Sequence, residues 1–201
     1  MSIAYYCLKM SPAPARTSTD AIVAAARLIL EDGGLTSVTM RSVADAVGVK
    51  GPSLYKRVPD RAALLRAVSG SVVADLTRTM SPAIDSSDPR ADLRAAAVAY
   101  RAFVVRNPNG YRLLFADLTE ANPDPSALAA AGEPVVNAMT RLAGPSDALE
   151  GARTFVAWAH GFVSMELAGA FRLGGDLDTA YAFGIDSILN GVSGSATPSS
   201  G

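Results

Sequence analysis

Apolar residues recur at every third or fourth position along most of the chain, and no segment alternates apolar and polar residues as a half-buried strand does. In the first such segment, Ile22, Ala26 and Ile29 fall on one face. This spacing is typical of amphipathic α-helices, which bury one stripe of side chains. The pattern therefore predicts an all-α protein.

Breaks in the pattern predict about nine helices. Glycine pairs and prolines mark these breaks, because glycine ends helices and proline is favoured in their first turn. The predicted elements are a helix that follows residues 17–20 and ends near 32, helices at 40–47, 52–57 and 61–79, a helix from 88–89 to 107–108, a short turn at 110–116, a segment at 126–142 that Pro134 interrupts or restarts, a helix from 145–146 to about 173, and a helix at 178–189.

Capping side chains precede three of these helices. Residues 17–20 resemble a capping box, Thr39 precedes the second helix, and Asp60 precedes the fourth. Such side chains accept hydrogen bonds from backbone N–H groups that the first helical turn leaves unpaired. They set the predicted starts of these helices.

Composition divides the chain into four parts. Residues 1–16 are predicted to be a flexible tail, 17–66 a helix-rich N-terminal domain, 67–190 a larger helical domain, and 191–201 a disordered Ser/Gly-rich end. The N-terminus lacks the pattern of an export signal. The longest apolar stretch contains His160 and Glu166, which are costly in a bilayer. We therefore expect a cytoplasmic protein with no membrane partner.

Charge is distributed unevenly along the 201 residues. Residues 1–66 hold nine Lys/Arg and five Asp/Glu, whereas the remainder holds nine Lys/Arg and fourteen Asp/Glu. A basic N-terminal part favours a polyanionic partner. The only cysteine and the only histidine, Cys7 and His160, exclude a disulfide framework and a Cys/His zinc site built from this chain alone. We therefore expect no metal and no cofactor.

An enzyme is disfavoured by the same inventory. The lone histidine, His160, lies in an apolar helical segment, and no spacing argument pairs it with Cys7 in a catalytic triad. The sequence contains no Gly-rich phosphate loop and no carboxylate pair in a motif context. The sequence therefore favours a binding protein over an enzyme.

Residues 40–57 have the pattern of a helix-turn-helix. Two short helices flank a turn at residues 48–51, and the second helix opens with Pro52 and carries Tyr55 beside two basic residues. The second helix of such a motif enters the major groove of DNA, where its first residues face base edges and flanking cations meet phosphates. The pattern predicts a DNA-binding module.

The segment from Thr39 to Leu65 resembles the DNA-binding domain of tetracycline-repressor (TetR) family regulators. The pairs Gly48-Val49, Leu54-Tyr55 and Asp60-Arg61 fall at the family's spacing. The resemblance covers about residues 17–68, a quarter of the chain. It implies a three-helix N-terminal domain that binds double-stranded DNA.

The resemblance also implies which residues contact DNA. Pro52 is expected at a thymine methyl group, and Tyr55 and Arg61 are expected at phosphates. Two positions depart from the family: Val58 replaces a frequent Phe, and Gly51 replaces a longer polar side chain that often reads a base, which weakens the expected readout there. The full set of expected DNA-contacting residues is Arg41, Lys50, Gly51, Pro52, Ser53, Tyr55, Lys56, Arg57 and Arg61.

The C-terminal part carries a second, looser resemblance. Trp158-Ala-His160-Gly161 and Tyr111-Arg-Leu-Leu-Phe115 resemble the TetR subfamily named for its Trp-His-Gly motif. The resemblance implies a helical bundle that binds a small molecule and dimerises. The helix around His160 is apolar on two faces, which predicts burial on both sides.

Ligand and dimer contacts are predicted from residue size and character. Aromatic residues with few convergent polar groups fit an apolar ligand, and small residues allow the close helix approach that a dimer bundle needs. The predicted ligand-lining residues are Tyr100, Phe103, Tyr111, Phe115, Met139, Phe155, Trp158, His160 and Phe162. The predicted dimer contacts are Ala159, Gly161, Ala168 and Gly169.

These features together predict a ligand-responsive transcriptional repressor. One module contacts few bases, so we expect a homodimer on a palindromic operator. A small, largely apolar effector would release it by shifting the spacing of the two recognition helices. The alternatives are an activator or ligand-independent regulator of the same fold, and a small-molecule carrier with a vestigial helix-turn-helix, which Gly51 mildly favours.

Overall fold

A computed structural model describes residues 18–84, 86–116 and 123–194, and the regular secondary structure in these ranges is entirely helical. This confirms the all-α prediction. The helices are α1 (Thr19–Gly33), α2 (Met40–Val47), α3 (Gly51–Tyr55), α4 (Arg61–Met80), α5 (Pro89–Arg106), α6 (Pro108–Leu114), α7 (Pro125–Ala143), α8 (Ala148–Leu167) and α9 (Leu177–Gly194), with short 3-10 turns at Leu35–Ser37 and Ser81–Ala83.

Local capping determines where the N-terminal helices begin. The Thr39 hydroxyl accepts the Ser42 N–H and the Ser42 hydroxyl accepts the Thr39 N–H, both at 3.0 Å, which completes a capping box at α2. The Asp60 carboxylate accepts the Ala63 N–H at 2.7 Å and begins α4. At α1 the cap is Ser18, whose hydroxyl accepts the Ala21 N–H. The predicted Thr17 cap lies outside the described residues.

A left-handed glycine forms the turn between α2 and α3. Gly48 has φ +73° and ψ +36°, a conformation that costs glycine little and other residues more. Its N–H bonds back to α2, and the Val49 N–H bonds to the Ala44 carbonyl at 3.0 Å. Helix α3 begins at Gly51, one residue earlier than predicted, and ends at Tyr55, two residues earlier.

One continuous apolar core joins the N-terminal helices to the C-terminal bundle. In α1, Ile22 and Leu30 are buried, and α4 contributes Leu64, Val68 and Val72 along its length. Because α4 runs from Arg61 to Met80, it supplies core residues to both parts. The N-terminal module (α1–α3) is therefore packed on the C-terminal bundle (α5–α9), which we call the body. Helix α4 links the two covalently.

Three differences from the predicted elements have local causes. Residues 108–114 form the helix α6, where a turn was predicted, and α7 continues through Pro134 because Val135, Ala138 and Met139 bury its inner face. Helix α8 ends at Leu167, six residues early, because Gly169 takes φ +61° and its N–H bonds to the Glu166 carbonyl.

Helix α9 extends beyond its predicted end. It runs to Gly194, so the first four residues of the predicted disordered end are helical. The remaining residues of that end lie outside the described ranges. Among the helices that the structure describes, none is long and apolar enough to cross a bilayer.

Candidate functional site

Helix α3 presents its polar face to solvent because one residue anchors the opposite face. Leu54 is almost fully buried, whereas Pro52, Ser53 and Tyr55 are exposed, Tyr55 to 52%. An aromatic hydroxyl exposed on a short helix suits a contact with a phosphate at the edge of a groove. The structure therefore brings these three expected DNA-contacting residues to one accessible surface.

Basic side chains are exposed around α3. Lys50 forms the N-cap position of the helix, and Lys56 and Arg57 follow its last turn, all three exposed. Arg41 on α2 is also exposed, and its guanidinium lies 3.9 Å from the Asp45 carboxylate on the same helix. Exposed cations beside a groove-sized helix favour binding to a nucleic acid backbone.

Gly51 starts α3 without a structural need for glycine. A Cβ atom built on this residue meets nothing within 4 Å, and its φ is not in the left-handed region. The position would therefore accept a side chain, and glycine leaves it without one. Residue 51 therefore offers no side chain to contact a DNA base.

Arg61 is engaged within the protein. Its Nε donates to the Val38 carbonyl at 2.7 Å and its Nη2 donates to the Leu35 carbonyl at 2.8 Å. These bonds tie the start of α4 to the segment before α2. The sequence predicted a phosphate contact for Arg61, and such a contact would have to share or replace these bonds.

An aromatic and hydrogen-bonded cluster joins α5, α6 and α8. The Tyr111 hydroxyl shares short hydrogen bonds with the Tyr100 hydroxyl and with Nδ1 of His160. The Phe115 ring centroid lies 4.3 Å from that of His160 and 5.0 Å from that of Tyr111. Four of the nine predicted ligand residues therefore lie together, and we call them the aromatic cluster.

Burial keeps the titratable members of this cluster neutral. Desolvation raises the pKa of Tyr100 and of Tyr111 above their usual values, and it lowers the pKa of His160. Burial thus favours the uncharged forms of these three side chains. Such a site would bind a neutral or weakly polar molecule better than an ion.

The other predicted ligand residues form separate contacts. Trp158 stacks on Tyr181 with ring centroids 5.3 Å apart and lies 5.5 Å from Phe162. A Cβ atom at Gly184 would stand 1.9 Å from the Trp158 ring, so the indole lies directly on the backbone of α9. Phe103, Met139 and Phe155 are core residues.

Two grooves among the described residues lie elsewhere. One of about 700 Å³ lies between α5 and α9, and another of about 550 Å³ lies between α4 and α7. Neither is lined by any of the nine predicted ligand residues. The four residues of the aromatic cluster contact one another directly, and the sequence left open whether their side chains enclose a cavity or fill it.

Ion pairs occupy the groove between α5 and α9. The Arg101 guanidinium donates to both carboxylate oxygens of Glu166 at 2.7 Å and to one carboxylate oxygen of Asp178 at 2.7 Å. It also lies 5.2 Å from the centroid of the Tyr181 ring. Arg94 pairs with Asp186 at 2.5 Å. These pairs join α5, α8 and α9 into one unit.

Comparison with known protein families gives two matches that together span most of the chain. Residues 15–68 match the model described as bacterial regulatory proteins, tetR family. Residues 93–188 match the model described as tetracyclin repressor-like, C-terminal domain. An uncharacterized HTH-type transcriptional regulator of Mycobacterium tuberculosis is 32% identical over 191 residues, which cover 90% of this chain and 83% of the relative. The chain belongs to the TetR family of transcriptional regulators.

Solved TetR-like structures share the fold. A TetR variant from Acinetobacter baumannii in complex with minocycline has a TM-score of 0.68 at 23% identity and covers 90% of this chain and 99% of that one. BioQ with its double-stranded DNA operator has a TM-score of 0.64 at 24% identity and covers 88% and 98%. The family and its relatives are regulators of transcription and not enzymes, in agreement with the sequence. The Trp-His-Gly subfamily resemblance stays a prediction.

The TetR-family chain leaves an apolar outer surface on its last two helices. Phe183 on α9 is 74% exposed, and Met165 and Val156 on α8 are each 47% exposed. The prediction that α8 is buried on both sides is therefore wrong for the isolated chain. Of the predicted dimer residues, Ala159 is buried inside the protomer at 4% exposure, Gly161 is half-buried, and Ala168 and Gly169 are exposed at the end of α8.

Sequence reasoning missed residues whose roles depend on distant partners. Phe183, with Ala180 and Ser187 at helical spacing, marks the outer face of α9, and this spacing was visible in the sequence. Glu31 contacts α6 across 78 residues of chain, and nothing local indicated that contact. Long-range contacts of this kind connect the parts of this TetR-family regulator.

Proposed function

We propose that the chain is a transcriptional repressor that binds a palindromic operator as a homodimer and is released by a small, largely apolar effector. The observation that carries the proposal is the exposed polar face of α3, with Tyr55 at 52% exposure and basic residues on both sides. A short exposed helix with flanking cations is the arrangement that reads a major groove. BioQ, which shares this fold, was solved with its operator.

DNA contact would divide between the helix and its surroundings. Pro52 and Ser53 face base edges in this proposal, and Tyr55 donates its hydroxyl hydrogen to a phosphate oxygen. Lys50 and Arg57 neutralise phosphates on either side. Because each neutralised phosphate releases counterions, affinity should fall steeply as salt rises.

Homodimerisation would use the outer face of α8 and α9. This face combines the exposed Phe183 and Met165 with the small residues Ala157, Gly161 and Ala180. Small residues let helices approach closely, and a two-fold axis brings the same face of a second copy against it. Ala168 and Gly169 extend the face, whereas the buried Ala159 supports it from inside.

The effector would bind at the aromatic cluster by displacing side chains. Phe115 is 58% exposed while its ring lies 4.3 Å from His160, so it is the side chain best placed to swing away. An apolar molecule would take the place of this ring, and Tyr111 or His160 would supply a hydrogen bond. A fold relative has been solved with a small molecule, minocycline. Binding that favours this opened state would shift the population away from the DNA-bound form.

Fluorescence anisotropy on DNA flanking the protein's own gene, beside scrambled DNA and across a salt series, tests the proposal. We expect tight, salt-sensitive binding to the flanking DNA, lost in Tyr55→Ala. Leu28→Ala is the matched control, because Leu28 is 74% exposed on α1 of the same module. Equal weak binding of the wild type to both DNAs, or binding that is flat across salt, would contradict the proposal.

A promoter–reporter assay separates the alternatives of the same fold. Loss of the protein should raise expression for a repressor and lower it for an activator. The carrier alternative predicts binding of apolar molecules without DNA affinity. The exposed cations around α3 favour the regulator over the carrier.

A further inference from the structure

The start of α6 is held against the end of α1 by one acidic side chain. The Glu31 carboxylate accepts the Asn109 N–H at 3.1 Å on one oxygen and the Gly110 N–H at 2.7 Å on the other. The Asn109 side-chain amide donates to the Glu31 backbone carbonyl at 3.0 Å. Three hydrogen bonds therefore join a helix of the DNA-binding module to a helix of the body.

Gly110 makes this close approach possible. A Cβ atom on Gly110 would stand 2.7 Å from the Glu31 carboxylate oxygen and 3.2 Å from a Val72 methyl group. The glycine thus lies between α1 and α4 at the point where the module meets the body. Its lack of a side chain lets both neighbours pack against the α6 backbone.

The next residue of α6 belongs to the aromatic cluster. Tyr111 is buried and hydrogen-bonds Tyr100 of α5 and His160 of α8. Helix α6 is therefore fixed to the body by Tyr111 and to the module by Glu31. The module itself is held on α4 by Arg27, which pairs with Asp75 and donates to Ser71 at 3.1 Å.

We propose that Glu31 is a positioning residue that fixes the orientation of the DNA-binding module on the dimerising body and thereby sets which half-site spacing the protein accepts. The inference rests on the proposed function. Without the carboxylate, the module stays attached through α4, its apolar contacts and the Asn109 bond to the Glu31 backbone carbonyl, and it gains freedom to pivot about α4. A module that pivots reaches half-sites at several separations, so selectivity for spacing falls while the contacts of α3 with each half-site persist.

A spacing series tests this role. One added base pair moves a half-site by about 3.4 Å and rotates it by about 35°. The operator, isolated by selection from random duplexes, is varied by one and two base pairs at its centre. We expect the wild type to prefer the selected spacing by about tenfold or more and Glu31→Gln to reduce that preference to about threefold or less. Asp32→Asn, an exposed neighbour on the same helix, should keep the wild-type ratio.

The ratio of the affinities for the selected and the altered spacings distinguishes a positioning role from a general loss of structure. A merely structural role lowers affinity for every spacing alike and leaves the ratio unchanged, and that result would overturn the inference alone. Glu31→Gln keeps the size of the side chain, and Gly110→Ala, which displaces the carboxylate from the other side, should lower the ratio as well. If the wild type binds all spacings equally, the inference and the palindromic operator of the proposed function both fail.

Discussion

The Tyr111 hydroxyl and Nδ1 of His160 share a hydrogen bond that joins α6 to α8. The two residues are 49 positions apart in the chain and their ring centroids are 5.7 Å apart. His160 is the only histidine of the protein. One imidazole therefore holds the helix that also contacts the DNA-binding module through Glu31.

The protein should lose stability on mild acidification because of this imidazole. Burial lowers the pKa of His160 below its usual 6.5, so the unfolded chain takes up a proton at a higher pH than the folded one. The free energy of unfolding therefore falls as pH drops through 6.5 toward the lowered pKa, and this contribution is fully present above 6.5. Thermal unfolding at pH 7.5 and 5.5 measures the effect.

His160→Gln provides the control for that pH dependence. A glutamine oxygen accepts the Tyr111 O–H but does not titrate, so the variant should lose much less stability between pH 7.5 and 5.5. The carboxylates contribute equally to the pH dependence of stability in both proteins. If stability falls equally with pH in the two proteins, the pKa of His160 is the same in the folded and the unfolded chain, which would contradict the prediction.

Removing the Tyr111 hydroxyl should destabilise the fold. Tyr111→Phe keeps the ring but leaves the Tyr100 hydroxyl and the His160 nitrogen without this partner, which costs about 1–3 kcal/mol for buried groups. Denaturant unfolding measures the loss. Tyr55→Phe is the matched control, since Tyr55 is exposed and its change should stay within about 0.5 kcal/mol. An equal effect of both substitutions would argue against the hydrogen-bonded cluster.

Gly51 should leave one base pair of each half-site unread. Gly51→Gln adds an amide that reaches a base edge, and a good bidentate contact discriminates by about 1–3 kcal/mol. The open space around Gly51 predicts that the variant folds normally. Sequencing of selected random duplexes should show one new preferred base for Gly51→Gln and none for Gly51→Ala. Identical sequence preferences in all three proteins would contradict this prediction.

Arg61 should act through the protein rather than through a phosphate. Because its guanidinium bonds the Val38 and Leu35 carbonyls, Arg61→Ala should weaken DNA binding while leaving the dependence of log affinity on log salt unchanged. Lys50→Ala, in contrast, should reduce that slope by about 0.9, the value for one phosphate contact. If both substitutions reduce the slope of log affinity against log salt equally, Arg61 contacts a DNA phosphate.

Phe183 should be central to the homodimer. Phe183→Glu places a charge on the outer face of α9, where burial against a second copy is unfavourable without a partner. Sedimentation equilibrium should show a monomer and DNA affinity should fall. Leu28→Glu is the control, because Leu28 is 74% exposed on α1, a helix of the DNA-binding module. A Phe183→Glu protein that stays dimeric would place the interface elsewhere.

The N-terminal module was predictable because its signals are local. Thr39 and Asp60 cap the helices that follow them, and Gly48 forms the turn, all within a few residues of the backbone groups that they contact. Helix α2 has the predicted bounds for this reason. Helix α8 was predicted too long because the apolar pattern continues past Gly169, where a left-handed residue ends the helix.

The candidate effector site was only partly predictable. Residue character identified Tyr100, Tyr111, Phe115 and His160 as candidates, and the structure brings them together. Whether such side chains enclose a cavity or fill it depends on how three helices pack, and that information is not in the spacing of any one helix. The hydrogen bonds of Arg61 within the protein were hidden for the same reason, because their acceptors are more than twenty residues away.

The only tryptophan of the protein rests on the backbone of α9 at Gly184 and stacks on Tyr181. Indole fluorescence responds to its immediate surroundings, and here those surroundings are the joint between α8 and α9. Any event that separates or compresses these two helices changes the emission of a single chromophore. The unlabelled protein thus carries a single fluorescent reporter of how α8 packs against α9.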